Sequence, residues 1–149
     1  MKRGVFAAFL VCLLLMAFSS QAMAAYEFYI QIQGIPGESQ DKHHKDWIDV
    51  LSFGSKSLSM PTTPKGSSGP GQFSIKHVGN NKVSPAILNL LLLNSAFDMH
   101  FDVVQAGRSL HYVLGGCHVT SYSISRSGTA PPMEEISFNY SSMSWSWGA

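Results

Sequence analysis

Tyr26-Glu27-Phe28-Tyr29-Ile30-Gln31-Ile32-Gln33 is the stretch on which the reading of this sequence turns. Tyr26, Phe28, Ile30 and Ile32 alternate with Glu27, Tyr29, Gln31 and Gln33, the period of two expected of a strand with one buried face. Gly34-Ile35-Pro36-Gly37 ends it. Beyond a polar loop at 38–45, Trp47-Ile48-Asp49-Val50-Leu51-Ser52-Phe53 carries apolar residues on both parities, which predicts a central strand. The period of two returns at 72–78, where Phe73, Ile75 and His77 share a face, and again in Phe97-x-Met99-x-Phe101-x-Val103. It returns twice more, in a long segment at 110–124 interrupted by Gly115-Gly116 and in Ile136-x-Phe138-x-Tyr140. The glycine pair predicts a bulge or sharp bend. After Tyr140 the apolar positions move to Met143, Trp145 and Trp147, which implies a second irregularity at Ser141-Ser142 and a sticky terminal face.

Two segments depart from this pattern. Residues 54–71 are dominated by Gly, Pro, Ser and Thr with no periodicity, a long connection that is either functional or mobile. Ser84-Pro85 offers an N-cap and a preset first helical position, so a helix is expected from 85 to about 95, alone in the mature chain. Its Ile87, Leu88, Leu90, Leu91, Leu92 and Leu93 spread over more than one face, more apolar surface than a helix lying on one sheet requires. Either a second subunit covers the excess or the helix is deeply buried. Six or more strands, short turns and one helix make an all-β, two-sheet barrel or sandwich with a flanking helix, in a single domain at 25–149.

Upstream, Met1-Lys2-Arg3 leads into an apolar run at 4–18 and then Ser19-Ser20-Gln21-Ala22-Met23-Ala24-Ala25. A positive start, an apolar stretch shorter than the ~20 residues of a spanning helix and a small-residue Ala22-x-Ala24 site read as a secretory signal peptide at 1–24. Cleavage would leave no stable membrane anchor. Lys2 and Arg3 leave with the leader, so the ten basic residues fall to eight against nine acidic, and none of the eight forms a run. Nucleic acid is therefore a poor partner. Of two cysteines only Cys117 stays, so an exported chain would have no internal disulfide and must draw its stability from a core or from partner subunits.

Chemistry-bearing residues give little sign of catalysis. Neighbouring His43 and His44, with Asp41 and Asp46 close by, would serve one metal only if the loop bent sharply, because adjacent residues of extended chain point apart. Cys117-His118 meets the same objection, and a packed thiol is the simpler reading. Asp98, His100 and Asp102 share a strand face, the pattern of a solvent or lumen side. Nucleophile-elbow, zincin, phosphate-loop and dinucleotide motifs are all missing from the sequence. The expectation is no enzyme, no metal and no cofactor.

The order and spacing of these segments resemble the haemolysin-coregulated protein (Hcp) family, the tube protein of type VI secretion systems. The resemblance rests on Phe28-Tyr29-Ile30-Gln31-Ile32, Gly37-Glu38-Ser39-Gln40-Asp41-Lys42-His43, Ile48-Asp49-Val50-Leu51-Ser52-Phe53 and Ser84-Pro85. It continues through Val119-Thr120-Ser121-Tyr122-Ser123 and Pro132-x-Glu134-x-Ile136-Ser137-Phe138-Asn139-Tyr140. What it implies is a two-sheet barrel with a flanking helix that assembles into six-membered rings, able to stack into tubes, as a conduit or carrier for secreted effector proteins. It also implies that the long loop meets neighbouring subunits. Ser57, Leu58 and Met60 of that loop, Leu88, Leu91 and Leu92 of the helix, and Trp145 and Trp147 are then the candidate interface residues. The leader departs from typical members, which lack one, and points to a periplasmic or extracellular location. A solitary exported barrel that binds a ligand without forming rings is the alternative.

Overall fold

The computed structural model describes residues 25–55 and 61–148. The expected leader at 1–24 and the loop candidates Ser57, Leu58 and Met60 lie outside the described residues. The alternation at the start of this region becomes strand β1 (Glu27–Ile32), with Ile30 and Ile32 in the core. Its other face is not wholly polar, for Tyr29 is also buried, beneath His44.

The apolar run expected as one central strand is two short ones, β2 (Ile48–Val50) and β3 (Ser52–Gly54), parted at exposed Leu51. β2 pairs with β1 and β3 pairs with β5 (Gly71–Val78). The hydrogen-bonded path runs β2-β1-β6-β7-β8-β5-β3, all antiparallel, through β6 (Phe97–Gln105), β7 (Arg108–Ser125) and β8 (Met133–Tyr140). Because β2 and β3 are halves of one segment, and the Leu51 amide donates to the Lys76 carbonyl of β5 at 2.8 Å, that path returns to its start and closes as a barrel. Apolar residues on both parities thus mark a strand that changes neighbours midway.

The break in period seen at Gly115-Gly116 and at Ser141-Ser142 is a single crease. On β7 the buried residues step from Leu110, Tyr112 and Leu114 to Cys117 and Val119, and on the facing chain from Phe138 and Tyr140 to Met143. Leu114 pairs with Met143 and Gly115 with Ser142, so both chains change face at one level, where β8 gives way to β9 (Ser142–Gly148). Small residues permit this. A Cβ on Gly116, whose φ is +61°, would stand 2.8 Å from Ser141 Oγ.

Phe73, Phe101 and Phe138 form the centre of the core, with Phe73 and Phe101 ring centres 4.9 Å apart and Phe97 edge-on to Phe138 at 5.9 Å. Each such ring stabilises the fold by about 2 kcal/mol through burial, with a further ~1 kcal/mol from its aromatic pairs.

Helix α1 (Ser84–Leu92) is the one helix among the described residues. Its cap is Asn80 rather than the expected Ser84: Asn80 Oδ1 accepts from the Lys82 and Val83 amides at 2.9 and 2.7 Å, and Ser84 Oγ accepts from the Asn80 amide at 3.0 Å. At its far end Asn94, with φ +48°, lets the Ser95 amide reach Leu90 O and the Asn94 amide reach Leu91 O. That is a Schellman turn, and it stops the helix before 95.

Candidate functional site: two apolar surfaces and a histidine–carboxylate network

The Schellman turn decides where the helix's apolar excess goes. Ile87 is buried and Ala86, Leu90 and Leu91 pack against the core, whereas Leu88 is half-buried. Leu92 and Leu93, the last residues before the chain turns, are 78% and 74% exposed. The helix is therefore not deeply buried, and two large apolar side chains at its end lie open to solvent. Leu93 belongs with the candidates although its spacing did not single it out.

The second apolar surface is treated differently. Residues 65–68, expected to be structureless, form strand β4 (Lys65–Ser68), which pairs with β9 in the register Gly66 to Trp145. The Trp147 amide donates to Pro64 O at 3.0 Å, and Trp145 Nε1 donates to Thr63 O at 3.3 Å. Gly66 makes this possible, since a Cβ there would fall 2.3 Å from the Trp145 ring. Trp145 is half-buried against the core by its own chain, leaving Trp147, 37% exposed, as the outward member. The Arg108 guanidinium lies 5.8 Å from the centre of the Trp147 ring.

A polar network ties the loop carrying Asp41 and His44 to β6 and β7. β6 and β7 are joined by a tight turn at Ala106-Gly107, both with positive φ, which sets Asp102 opposite His111. His111 Nδ1 contacts Asp102 Oδ1, and Asp102 Oδ2 takes His44 Nε2 at 2.8 Å. His44 Nδ1 in turn meets Asp41 Oδ1 at 2.7 Å, so both of its nitrogens face carboxylate oxygens. Tyr29 stacks on His44 at 4.1 Å and Trp47 meets it edge-on at 4.9 Å. His44 is thus a packed structural residue, while neighbouring His43 is exposed.

Charge follows this geometry. The hydrogen bond to Asp102 raises the His111 pKa above its ordinary value. Burial pushes the Asp102 carboxyl up, but the bonds to His111 and His44 outweigh it and hold the group below the usual carboxylate range. Asp41 is lowered chiefly by its bond to His44. Of the strand row Asp98, His100 and Asp102, only Asp98 is exposed. Cys117 is fully buried, with its thiol pushed up to about 12 by desolvation, which makes it an inert packed group. A second buried couple, His77 and Glu134, has Nε2 and Oε2 2.9 Å apart but off the hydrogen-bonding axis, while Tyr122 donates to the other carboxylate oxygen. Among the described residues no group of three or more His, Cys, Asp or Glu side chains converges on a metal-sized point.

A closed antiparallel barrel with one flanking helix, whose polar residues are organised for structure and whose helix end is apolar and open, defines a structural β-barrel class. The chain belongs to the type VI secretion system effector Hcp family, whose model matches residues 29–147. Among solved structures it is similar to Hcp1 from Salmonella typhimurium, at 21% identity over 85% of this chain and 88% of that one, with a TM-score of 0.67. It is also similar to a type VI secretion system effector from Yersinia pestis, at 26% identity over 79% and 87% of the two chains, with a TM-score of 0.65. The secreted protein Hcp3 from Pseudomonas aeruginosa shares the fold at 17% identity, covering 83% and 96%, with a TM-score of 0.58. Comparison with curated proteins gave no match. The family is one of structural tube proteins, not of enzymes.

Proposed function

We propose that this chain is a ring-forming tube subunit of type VI secretion type, assembling with itself as a hexamer whose rings can stack and carry secreted effector proteins. The observation that carries the proposal is the exposed Leu92-Leu93 pair in a chain of this family. Burying two leucines that stand in water is worth about 1.5–3 kcal/mol each, a strong incentive for a neighbouring subunit to cover them. Leu88 and Leu91 would support the same contact, and Trp147 would lie at a second, smaller one. Residues 1–24 would act as a signal peptide cleaved after Ala24, releasing a single domain at 25–149 to the periplasm or the medium. The leader's own sequence supports that route, which differs from direct loading into the contractile machine.

Light scattering on the purified mature protein tests the assembly. Six times the mass of one chain is the expected result, and a monomer persisting at high concentration would defeat it in favour of a solitary binding module. N-terminal sequencing of protein from the periplasm or medium should begin at Ala25. An intact Met1 on cytoplasmic rings would remove the export step and leave the ring.

A further inference from the structure

The hairpin that places Asp102 opposite His111 also places His100 opposite Val113, so His100 and His111 are diagonal neighbours across β6 and β7. Their rings lie 5.2 Å apart at 29°, and His100 Nδ1 faces His111 Nε2 at 3.2 Å. On the far side of His111, Nδ1 is engaged by the Asp102 carboxylate. A neutral His111 therefore carries its proton on Nδ1 and turns the Nε2 lone pair toward His100.

We propose that His100 Nδ1 and His111 Nε2 together bind one divalent late-transition ion, Cu(II) or Zn(II), with Asp102 orienting His111 from behind. Imidazole nitrogens suit these two ions, and copper(II) stands highest in the affinity order for divalent metals. Two nitrogens each about 2.0–2.1 Å from one ion lie about 3.3 Å apart at a tetrahedral angle and about 2.9 Å at a right angle, and the observed separation falls between. A carboxylate holding the remote nitrogen of a metal-binding histidine fixes the tautomer and raises the basicity of the ligand. For the ion to bind, the proton that bridges the two rings moves through solvent from His100 Nδ1 to His100 Nε2, which leaves both rings neutral with one lone pair each for the ion.

Access and charge agree with this site. His111 is a third exposed, and His100 lines an open recess together with Lys45, Asp46 and Asp98. Two carboxylates against one lysine in that lining favour a cation over an anion. With two protein ligands, the other coordination positions belong to water, so the ion exchanges with solvent and does not hold the fold together.

Copper(II) titration of the purified protein followed by electron paramagnetic resonance tests the assignment. One ion per chain is expected, with hyperfine coupling to two imidazoles. His100→Ala and His111→Ala should each abolish saturable binding, His43→Gln should leave it unchanged, and Asp102→Asn should weaken it about 10- to 100-fold. Circular dichroism shows whether each variant folds. Should one of them fail to fold, the wild-type ring-nitrogen NMR shifts on adding Zn(II) decide instead: movement confined to His100 and His111 supports the site. Absence of saturable binding, coupling to fewer than two nitrogens, dependence on His43 or zinc shifts elsewhere would overturn it.

Discussion

The helix end and the terminal strand of this barrel carry similar apolar surface and meet opposite fates. Trp145 is roofed by β4, bonded through its indole nitrogen to Thr63 and packed on the core. Leu92 and Leu93, five and six residues past buried Ile87, stand exposed with no cover among the described residues. An apolar residue that a fold covers with its own loop contributes to stability within the subunit. One that a cap geometry holds outward contributes only where a partner covers it, which is what the proposed ring requires.

Replacing Leu92 and Leu93 together by Asp should have the largest effect. The mass measured by light scattering is expected to fall from six chains to one, while stability to urea changes by no more than about 0.5 kcal/mol, as for other exposed positions. Loss of folding along with assembly would show that the pair serves the monomer core, and the distinction between the two surfaces would fail. Trp145→Ala should act the other way round. Removing a half-buried indole is expected to cost about 2–3 kcal/mol, below the 3–5 kcal/mol of a fully buried one, and to expose 61–68 to limited proteolysis. Rings formed at low temperature should survive it.

Much of this could be read from the residues, because period-two alternation is a local property. The strands at 27–32, 72–78, 97–103 and 136–140 declare themselves in this way, and the glycine and serine pairs announce the crease before its two sides are known to be neighbours. What stayed hidden was set by distant contacts. Lys65-Gly66-Ser67-Ser68 has no strand composition and becomes β4 because Gly66 admits an indole from β9. The run at 47–53 looked continuous, yet it divides at Leu51 where its partner changes from β1 to β5. His44 and Asp102 are 58 residues apart, beyond any spacing rule. Asp102 and His111 were within reach, since a two-residue turn at Ala106-Gly107 sets them opposite one another. Pairing the two strands through that turn would have revealed the network's centre.

Gly66→Ala probes the roof itself. The added Cβ cannot share space with a ring 2.3 Å away, and Trp145 is tied on its other side to Thr63, so β4 must lift. An overpacking cost of about 1–2 kcal/mol is expected. Hydrogen exchange at the amides of 65–68 should quicken while β6 and β7 stay protected. Unchanged exchange would mean that Trp145 can swing aside and that the close fit to Gly66 is incidental.

Trp147→Ala should do least. This indole is more than a third exposed, and its specific contact is the Arg108 guanidinium 5.8 Å from the ring centre. A cation over an aromatic face at an exposed site contributes about 0.5–1 kcal/mol, and this separation lies near the outer edge of the useful range. The variant is therefore expected to lose less than about 1 kcal/mol in urea. Its value lies in the assembly readout. If ring mass is unchanged, the sticky terminal face is satisfied within the subunit and association rests on other surfaces, the helix end among them. Should rings dissociate although the barrel stays folded, Trp147 belongs to the subunit contact, and β9 would combine a covered tryptophan with one reserved for a neighbour.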